Sequence, residues 1–184
     1  MALLKRLYEG IMVKINCKLV PMTESLINTE YLETLNDKHY MKYSRQSLIN
    51  HSLESSRTFI HETSVNPQKD FFAFLNESEI FSGTCIIDSD LKNKVANLGF
   101  LILRRYSGKG YGSKMFQLMV QELLKRSEVE FVEIGTNPNN LGMLAIAKKA
   151  QMPLVNTSEN LFGEQKYILY RDSVVNIRKN MLIN

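Results

Sequence analysis

The sequence predicts a mixed α/β (α+β) fold. Three observations predict it: apolar and polar residues alternate near the N-terminus, three strand-like stretches follow one another between residues 71 and 103, and helical periods alternate with strands thereafter. Successive strands make a meander and helical crossovers return later strands to the sheet, so the sheet begins antiparallel and ends with helical crossovers.

Lys14 to Val20 alternates Ile15, Cys17 and Leu19 with Lys14, Asn16 and Lys18, the signature of a strand with one buried face. Thr23-Glu24-Ser25 opens a helix that carries Leu26, Tyr31, Leu32 and Leu35 and ends at Asn36-Asp37. A second helix starts at Ser52, whose hydroxyl caps the free amides of the first turn, and runs through Leu53, Phe59 and Ile60. Between them, Asp37 to His51 is polar and aromatic, with His39, Tyr40, Tyr43, Ser44, Arg45 and Gln46, a composition suited to a binding loop. Phe71 to Leu75 and Ile80 to Ile87 form an antiparallel hairpin through Asn76-Glu77-Ser78-Glu79, and after Asp88 to Lys94 a further strand covers Val95 to Leu103. From about Gly110, Tyr111, Met115, Leu118, Met119 and Leu123 keep helical spacing as far as Lys125-Arg126. Glu130 to Thr136 is a strand, Asn140 to Ala150 a shorter helix bearing Met143, Leu144, Ala145, Ile146 and Ala147, and Gln165 to Tyr170 a closing strand. The predicted order is β-α-α-β-β-β-α-β-α-β.

The 184 residues are 44% hydrophobic and 23% charged, with no tract dominated by Ser, Gly, Pro or one charge sign, so one compact domain over residues 12–175 is expected. Residues 1–11 read as an N-terminal extension, with Met12 an alternative start, and residues 176–184 as a short polar tail. Cys17 and Cys85 lie far apart without metal or redox spacing and read as buried thiols in a reducing compartment. The first residues interrupt their apolar character with Lys5, Arg6 and Glu9, unlike a signal peptide, and no apolar stretch reaches the roughly 20 residues that span a bilayer. A cytoplasmic protein without a membrane partner is expected, as monomer or homodimer. The net charge is +4, yet Arg104, Arg105, Lys109 and Lys114 fall close together. Without a wider basic stripe or a nucleic-acid module, the cluster fits a small polyanion better than nucleic acid.

Gly108, Gly110 and Gly112 sit where a strand ends and an amphipathic helix begins. Without Cβ atoms the backbone curls tightly, and the unpaired amides of the turn converge with the positive end of the helix dipole, where phosphate is the natural guest. A dinucleotide fold wants Gly-x-Gly-x-x-Gly after the first strand of a βαβ unit, and a P-loop wants Gly-Lys followed by Ser or Thr; the run here is Gly-x-Gly-x-Gly after several meander strands, with Lys109 followed by Gly110. A glycine-rich turn with no ligand remains the competing reading.

Arg105-Tyr106-Ser107-Gly108-Lys109-Gly110 resembles the Gln/Arg-x-x-Gly-x-Gly/Ala signature of the GNAT acetyltransferase superfamily, and Thr136-Asn137-Pro138-Asn139-Asn140 with the helix to Met152 is similar to its second motif. The resemblance covers about Ile15 to Arg171. It implies the GNAT fold, a mixed sheet of six to seven strands flanked by about four helices, and acetyl-CoA as co-substrate. It further implies that amides of Gly108, Lys109, Gly110, Tyr111, Gly112 and Ser113 hold the CoA diphosphate. The backbone of Leu101, Ile102 and Leu103 would pair with the pantetheine arm as an added strand, and Asn140 would touch that arm. Lys109 and Arg105 either approach the phosphates or are exposed turn cations.

In this superfamily an amine attacks the thioester within a ternary complex, so the protein must place the reactants and provide a route for the proton. Glu133, on the strand after the glycine helix, is the candidate base, directly or through water; the competing reading is a solvent-facing carboxylate. The position where the family commonly keeps a Tyr for the leaving thiol is Ala147, and Gln151-Met152 stands where Gly-Phe is common. Leu35-Asn36-Asp37 with Tyr43-Ser44 and His51-Ser52 is similar to a subgroup related to ribosomal-protein acetyltransferases, including members that acetylate nucleotide-linked amino sugars. Asn36, Asp37 and Tyr43 are therefore candidates for the acceptor pocket, with Asn36 and Asp37 alternatively terminating a helix. His51 is a candidate base or phosphate contact, or else a local packing residue. The expected acceptor is a small amine such as a nucleotide-linked amino sugar; a protein N-terminal or side-chain acetyltransferase and a non-catalytic acyl-CoA-binding module are the alternatives.

Overall fold

The computed structural model describes residues 16–157 and 165–170. The predicted N-terminal extension, the start of the first strand at Lys14 and Ile15, and the C-terminal tail lie outside the described residues. The strands are β1 (Lys18–Pro21), β2 (Lys69–Leu75), β3 (Phe81–Asp90), β4 (Val95–Ile102), β5 (Phe131–Thr136), β6 (Leu154–Thr157) and β7 (Gln165–Tyr170), and the helices α1 (Thr29–Asn36), α2 (Leu53–Ser64), α3 (Tyr111–Leu123) and α4 (Leu141–Lys149). They build one sheet in the order β1-β2-β3-β4-β5-β7-β6. β1 to β4 are antiparallel, β4 and β5 are parallel, and β7 lies antiparallel between β5 and β6.

Side-chain alternation sorts the core onto two faces. From β2, Phe74 and the partly buried Phe72 join Cys85, Ile87, Ala96, Leu98, Val132 and Ile134 beneath Met115, Phe116 and Met119 of α3 and Ile146 of α4. The intervening Phe71, Ala73 and Leu75 point the other way, to Tyr31 and Leu35 of α1, Ile60 of α2, and Leu103 and Tyr106. This is the period-two rule read twice along one strand.

Several boundaries differ from expectation. Thr23 makes no side-chain cap, and Glu24–Leu26 is a single 3-10 turn; α1 starts later, where Asn28 accepts a hydrogen bond from the Tyr31 amide at 2.9 Å. Ser52 caps α2 as predicted and forms a reciprocal capping box with Ser55. β3 runs past Ile87 to Asp90, α3 stops at Leu123, and β4 ends at Ile102, Leu103 instead preceding a 3-10 turn over Arg104–Tyr106. The four-residue β6 was not predicted; it pairs with β7 and leaves Leu154 and Val155 half exposed.

Both cysteines are free and buried, and burial pushes the Cys17 thiol up to about 11 and Cys85 higher still. The β2–β3 hairpin grips the start of α3: Glu77 accepts from Lys114 Nζ and is hydrogen-bonded to the Tyr111 hydroxyl. The Lys114 hydrogen bond, with the residue's own backbone amide, holds the Glu77 carboxyl down to about 2 from 4.5. Because folding lowers this pKa, the stabilisation is complete above pH 4.5 and is lost as the pH falls from 4.5 towards 2. Glu77→Gln is therefore expected to be less stable than wild type at neutral pH, with the difference closing across that acid window; urea unfolding at stepped pH measures it.

Candidate active site

After β4 the chain makes the 3-10 turn at Arg104–Tyr106 and then the glycine turn. Gly108 and Gly110 have φ of 75° and 80°, the left-handed region that other residues enter at a cost. A Cβ on either would meet nothing within 4 Å, so the space beside both is open. Gly110 is the N-cap of α3 and offers no side chain, whereas Asn28, Ser52 and Asn140 cap the other three helices with theirs. No acceptor among the described residues pairs with the amides of Gly108 to Ser113, while the carbonyl of Gly110 already receives the Lys114 amide. Unpaired donors around open space, at the positive end of a thirteen-residue helix, fit the expected diphosphate. Gly112 differs: a Cβ there would lie 3.1 Å from Ile146 Cδ1, so this glycine serves the packing of α3 on α4.

Three members of the basic cluster have carboxylate partners within the chain. Arg104 NH1 pairs with Asp37 Oδ2 at 2.7 Å. Arg105, expected either near the phosphates or as an exposed turn cation, meets Glu30 of α1 at 3.1 Å, donates to the Tyr106 hydroxyl at 2.7 Å and lies over the Tyr106 ring. Lys114 is held by Glu77. Among the described residues Lys109 is the member of the run with no carboxylate partner, its Nζ 5.5 Å from the Tyr106 ring centre. The groups left open at this turn are thus main-chain amides and the Lys109 ammonium.

β4 and β5 pair only from Val95–Phe131 to Asn97–Glu133 and then diverge. The rest of β4 has an open edge towards β5. Leu103 spends its amide on the Ser82 carbonyl of β3 at 2.9 Å and is fully buried. Alternation therefore turns Leu101 and Leu103 to β3, leaving the N–H and C=O of Ile102, alone of the three predicted residues, at the open edge. The Ile102 carbonyl accepts from the Tyr40 hydroxyl at 2.9 Å.

The loop from Asp37 to His51 is ordered by its own polar groups. Asn36 ends α1 and clamps His51, donating to its carbonyl and accepting from its amide, both at 2.8 Å, and it also donates to the Leu32 carbonyl. The Asn36 carboxamide thus closes the loop, with both amide hydrogens and one oxygen lone pair engaged. His51 Nε2 lies 3.0 Å from the Gln46 carbonyl, which fixes Nε2 as the donor and leaves Nδ1 as the open nitrogen. Asp37 Oδ1 accepts from the Tyr40 and His39 amides while Oδ2 takes Arg104, and these bonds hold its carboxyl below the usual range. Ser44 caps a 3-10 turn over Arg45–Leu48, and Tyr43 is half-buried beneath the Lys42 ammonium.

Glu133 sits at the vertex of the splay, on the sheet face opposite α3 and α4, only 12% exposed, and pairs with Lys166 of β7 at 3.0 Å. Asn140 Oδ1 caps α4 through the Met143 amide at 3.3 Å, leaving its Nδ2 for a ligand. Ala147 is buried in the core and supplies no proton. The sequence places Arg104 in the basic cluster and Tyr40 in the binding loop but predicts neither their contacts nor Lys166; the partners lie 67, 62 and 33 residues away along the chain, and spacing carries no signal for such contacts.

A family model described as Acetyltransferase (GNAT) domain matches residues 17–153. No curated protein matches the sequence. Among solved structures the chain is similar to the ribosomal alpha-N-protein acetyltransferase RimL in complex with coenzyme A, at TM-score 0.75 and 15% identity over 88% of this chain and 97% of that one. It is similar to the spermidine N-acetyltransferase from Vibrio cholerae in complex with CoA and spermine, at TM-score 0.75 and 9% identity over 88% and 99%. It also resembles aminoglycoside acetyltransferase AAC(6')-Ib in complex with coenzyme A and kanamycin, at TM-score 0.73 and 18% identity over 88% and 99%. At these identities the likeness shows the fold.

Proposed function

This chain belongs to the GNAT acetyltransferase family, and on that premise we propose that it moves an acetyl group from acetyl-CoA to a primary amine by direct attack in a ternary complex, the acceptor being a small amine such as a nucleotide-linked amino sugar. The observation that carries the donor half is the uncapped, glycine-led start of α3, whose free amides surround open space. The donor supplies the activated thioester; the chain supplies placement. The amides of 108–113 would hold the diphosphate, the open edge at Ile102 would align the arm, and Asn140 Nδ2 would meet it from α4. Similar folds with CoA bound support this assignment.

Three carboxylates near the acceptor side are already neutralised: Asp37 by Arg104, Glu30 by Arg105 and Glu133 by Lys166. A polycationic amine draws its affinity from such groups, so this pairing favours a neutral or anionic carrier. Glu133 would accept the amine's proton, directly or through water, with Lys166 steering its carboxylate. Glu133→Gln is expected to lower kcat by about 100-fold at neutral pH with KM for acetyl-CoA unchanged; an unaltered kcat and pH profile would reduce Glu133 to the partner of Lys166.

A protein acceptor is the second reading, favoured by the exposed Leu48, Ile49 and Leu53 beside His51, a platform for peptide side chains. Thermal shift with acetyl-CoA, CoA, NAD and ATP tests the donor assignment, since ligands that bind only the folded state raise its melting temperature. Stabilisation by the first two alone is expected. Free-thiol release with nucleotide-linked amino sugars against peptides then separates the two acceptors. We place the reaction in the cytoplasm, in keeping with two free, buried cysteines. No helix among the described residues is long and apolar enough to cross a membrane.

A further inference from the structure

The turn that begins the acceptor loop is fastened to the last residues of the donor strand at three points. Thr34 Oγ1 accepts from the Arg104 amide at 3.4 Å, Asp37 Oδ2 accepts from the Arg104 guanidinium at 2.7 Å, and the Tyr40 hydroxyl donates to the Ile102 carbonyl at 2.9 Å. The first two are made to groups that face away from the splay or lie beyond β4. The third is different. Ile102, like Phe100, turns its main chain to the gap between β4 and β5, so Tyr40 holds a lone pair of the last carbonyl on the edge that a ligand adding itself to β4 as a strand would use. The phenol ring is half-buried against the cluster of Tyr31, Leu35, Met41 and Leu103, and the Tyr40 amide is itself held by Asp37 Oδ1 at 2.9 Å. Movement of the hydroxyl is therefore felt in the Asp37–Met41 turn, closed by the Met41 amide on the Asp37 carbonyl at 2.8 Å.

We propose that Tyr40 is a positioning residue shared by both substrate sites: its hydroxyl caps the Ile102 carbonyl until the donor arm takes that carbonyl, so donor binding resets the turn that carries the acceptor loop. This rests on the donor reading above. One carbonyl lone pair is exchanged, a phenol O–H for an amide N–H of the arm, and no covalent bond changes. The capped form is a competing state of the free protein, and any competing state weakens apparent donor affinity by the fraction it occupies. Coupling is reciprocal: what the donor does to the turn, the turn does to the donor.

Tyr40→Phe keeps the ring and deletes the cap. Titration calorimetry with CoA alone is expected to show tighter binding by about two- to tenfold, the range of one net hydrogen bond. Hydrogen exchange of the amides in residues 38–44 is expected to change when CoA is added to wild type and to change little in the variant, which has already lost the cap. In steady state, KM for acetyl-CoA falls and KM for the amine rises, a split that loss of packing alone does not produce. Equal or weaker CoA affinity in the variant, or wild-type exchange at 38–44 that CoA leaves unaltered, overturns the proposal while the donor reading stands. A wild-type protein that takes up no CoA overturns both. The exchange measurement on wild type decides the matter even if the variant folds poorly.

Discussion

Gly110→Asp is expected to abolish the melting-temperature rise that CoA gives the wild-type protein while leaving the unliganded fold largely intact. Saturation at a hundred times the dissociation constant stabilises a folded protein by about 2.7 kcal/mol. For a chain of this size each kcal/mol moves the melting temperature by roughly 2–4 °C, so the wild-type rise is about 5–10 °C. The aspartate places a Cβ and a negative charge in the open space beside the uncapped start of α3, where the diphosphate is to lie. Losing two charge-assisted hydrogen bonds at about 1.5–3 kcal/mol each corresponds to a fall of about 10³-fold in kcat/KM for acetyl-CoA. The cost to the free protein is the left-handed backbone alone, about 1–2 kcal/mol, because nothing within 4 Å obstructs the new side chain. Differential scanning fluorimetry with and without CoA separates the two effects, and a variant that keeps the full ligand-induced rise would remove the turn from the donor site.

Gly83→Ala is expected to do the opposite and damage the fold first. A Cβ at Gly83 would lie 2.3 Å from the Leu101 carbonyl oxygen and 2.8 Å from Met115 Cε. The methionine tip can swing aside, but the carbonyl belongs to β4, paired with β3 along its whole length. Overpacking against fixed backbone costs about 3 kcal/mol or more, a drop of roughly 6–12 °C in melting temperature for a chain of this size. Because the strand pushed aside is β4, the donor edge moves with it, and CoA affinity falls together with stability. Guanidinium unfolding checks the stability loss, and a variant within about 0.5 kcal/mol of wild type would mean that β3 and β4 part more easily than their register implies.

The contrast shows what was legible in the sequence. Gly83 lies inside a strand-like stretch and drew no notice, whereas Gly108, Gly110 and Gly112 stood out as a trio and were read alike. The structure divides the trio, since two glycines are needed for their backbone angles and Gly112 for its contact with Ile146. Periodicity located strands, helices and their buried faces because it is a local property, and the Ser52 cap was legible for the same reason. Asn28 was passed over because Thr23 offered an earlier cap whose turn ends after Leu26. β6 escaped because four residues carry too little alternation to register. The partners of the basic cluster were not legible: density along the chain says nothing of Asp37, Glu30 and Glu77, which pair with three of its members from distant positions. Asn36 and His51 were read as separate candidates fifteen residues apart and proved to be two halves of one clamp.

β4 and β5 touch over three register pairs and then separate, and the edge that this exposes consists of peptide groups. Peptide groups are common to every residue but proline, so a guest that docks by completing the sheet is read without consulting side-chain identity. Substitutions along β4 that preserve its extended path leave that edge intact, whereas in the loop from Asp37 to His51 the polar side chains themselves hold the turn. Such a division makes one half of the cleft tolerant of side-chain change and ties the other to particular residues.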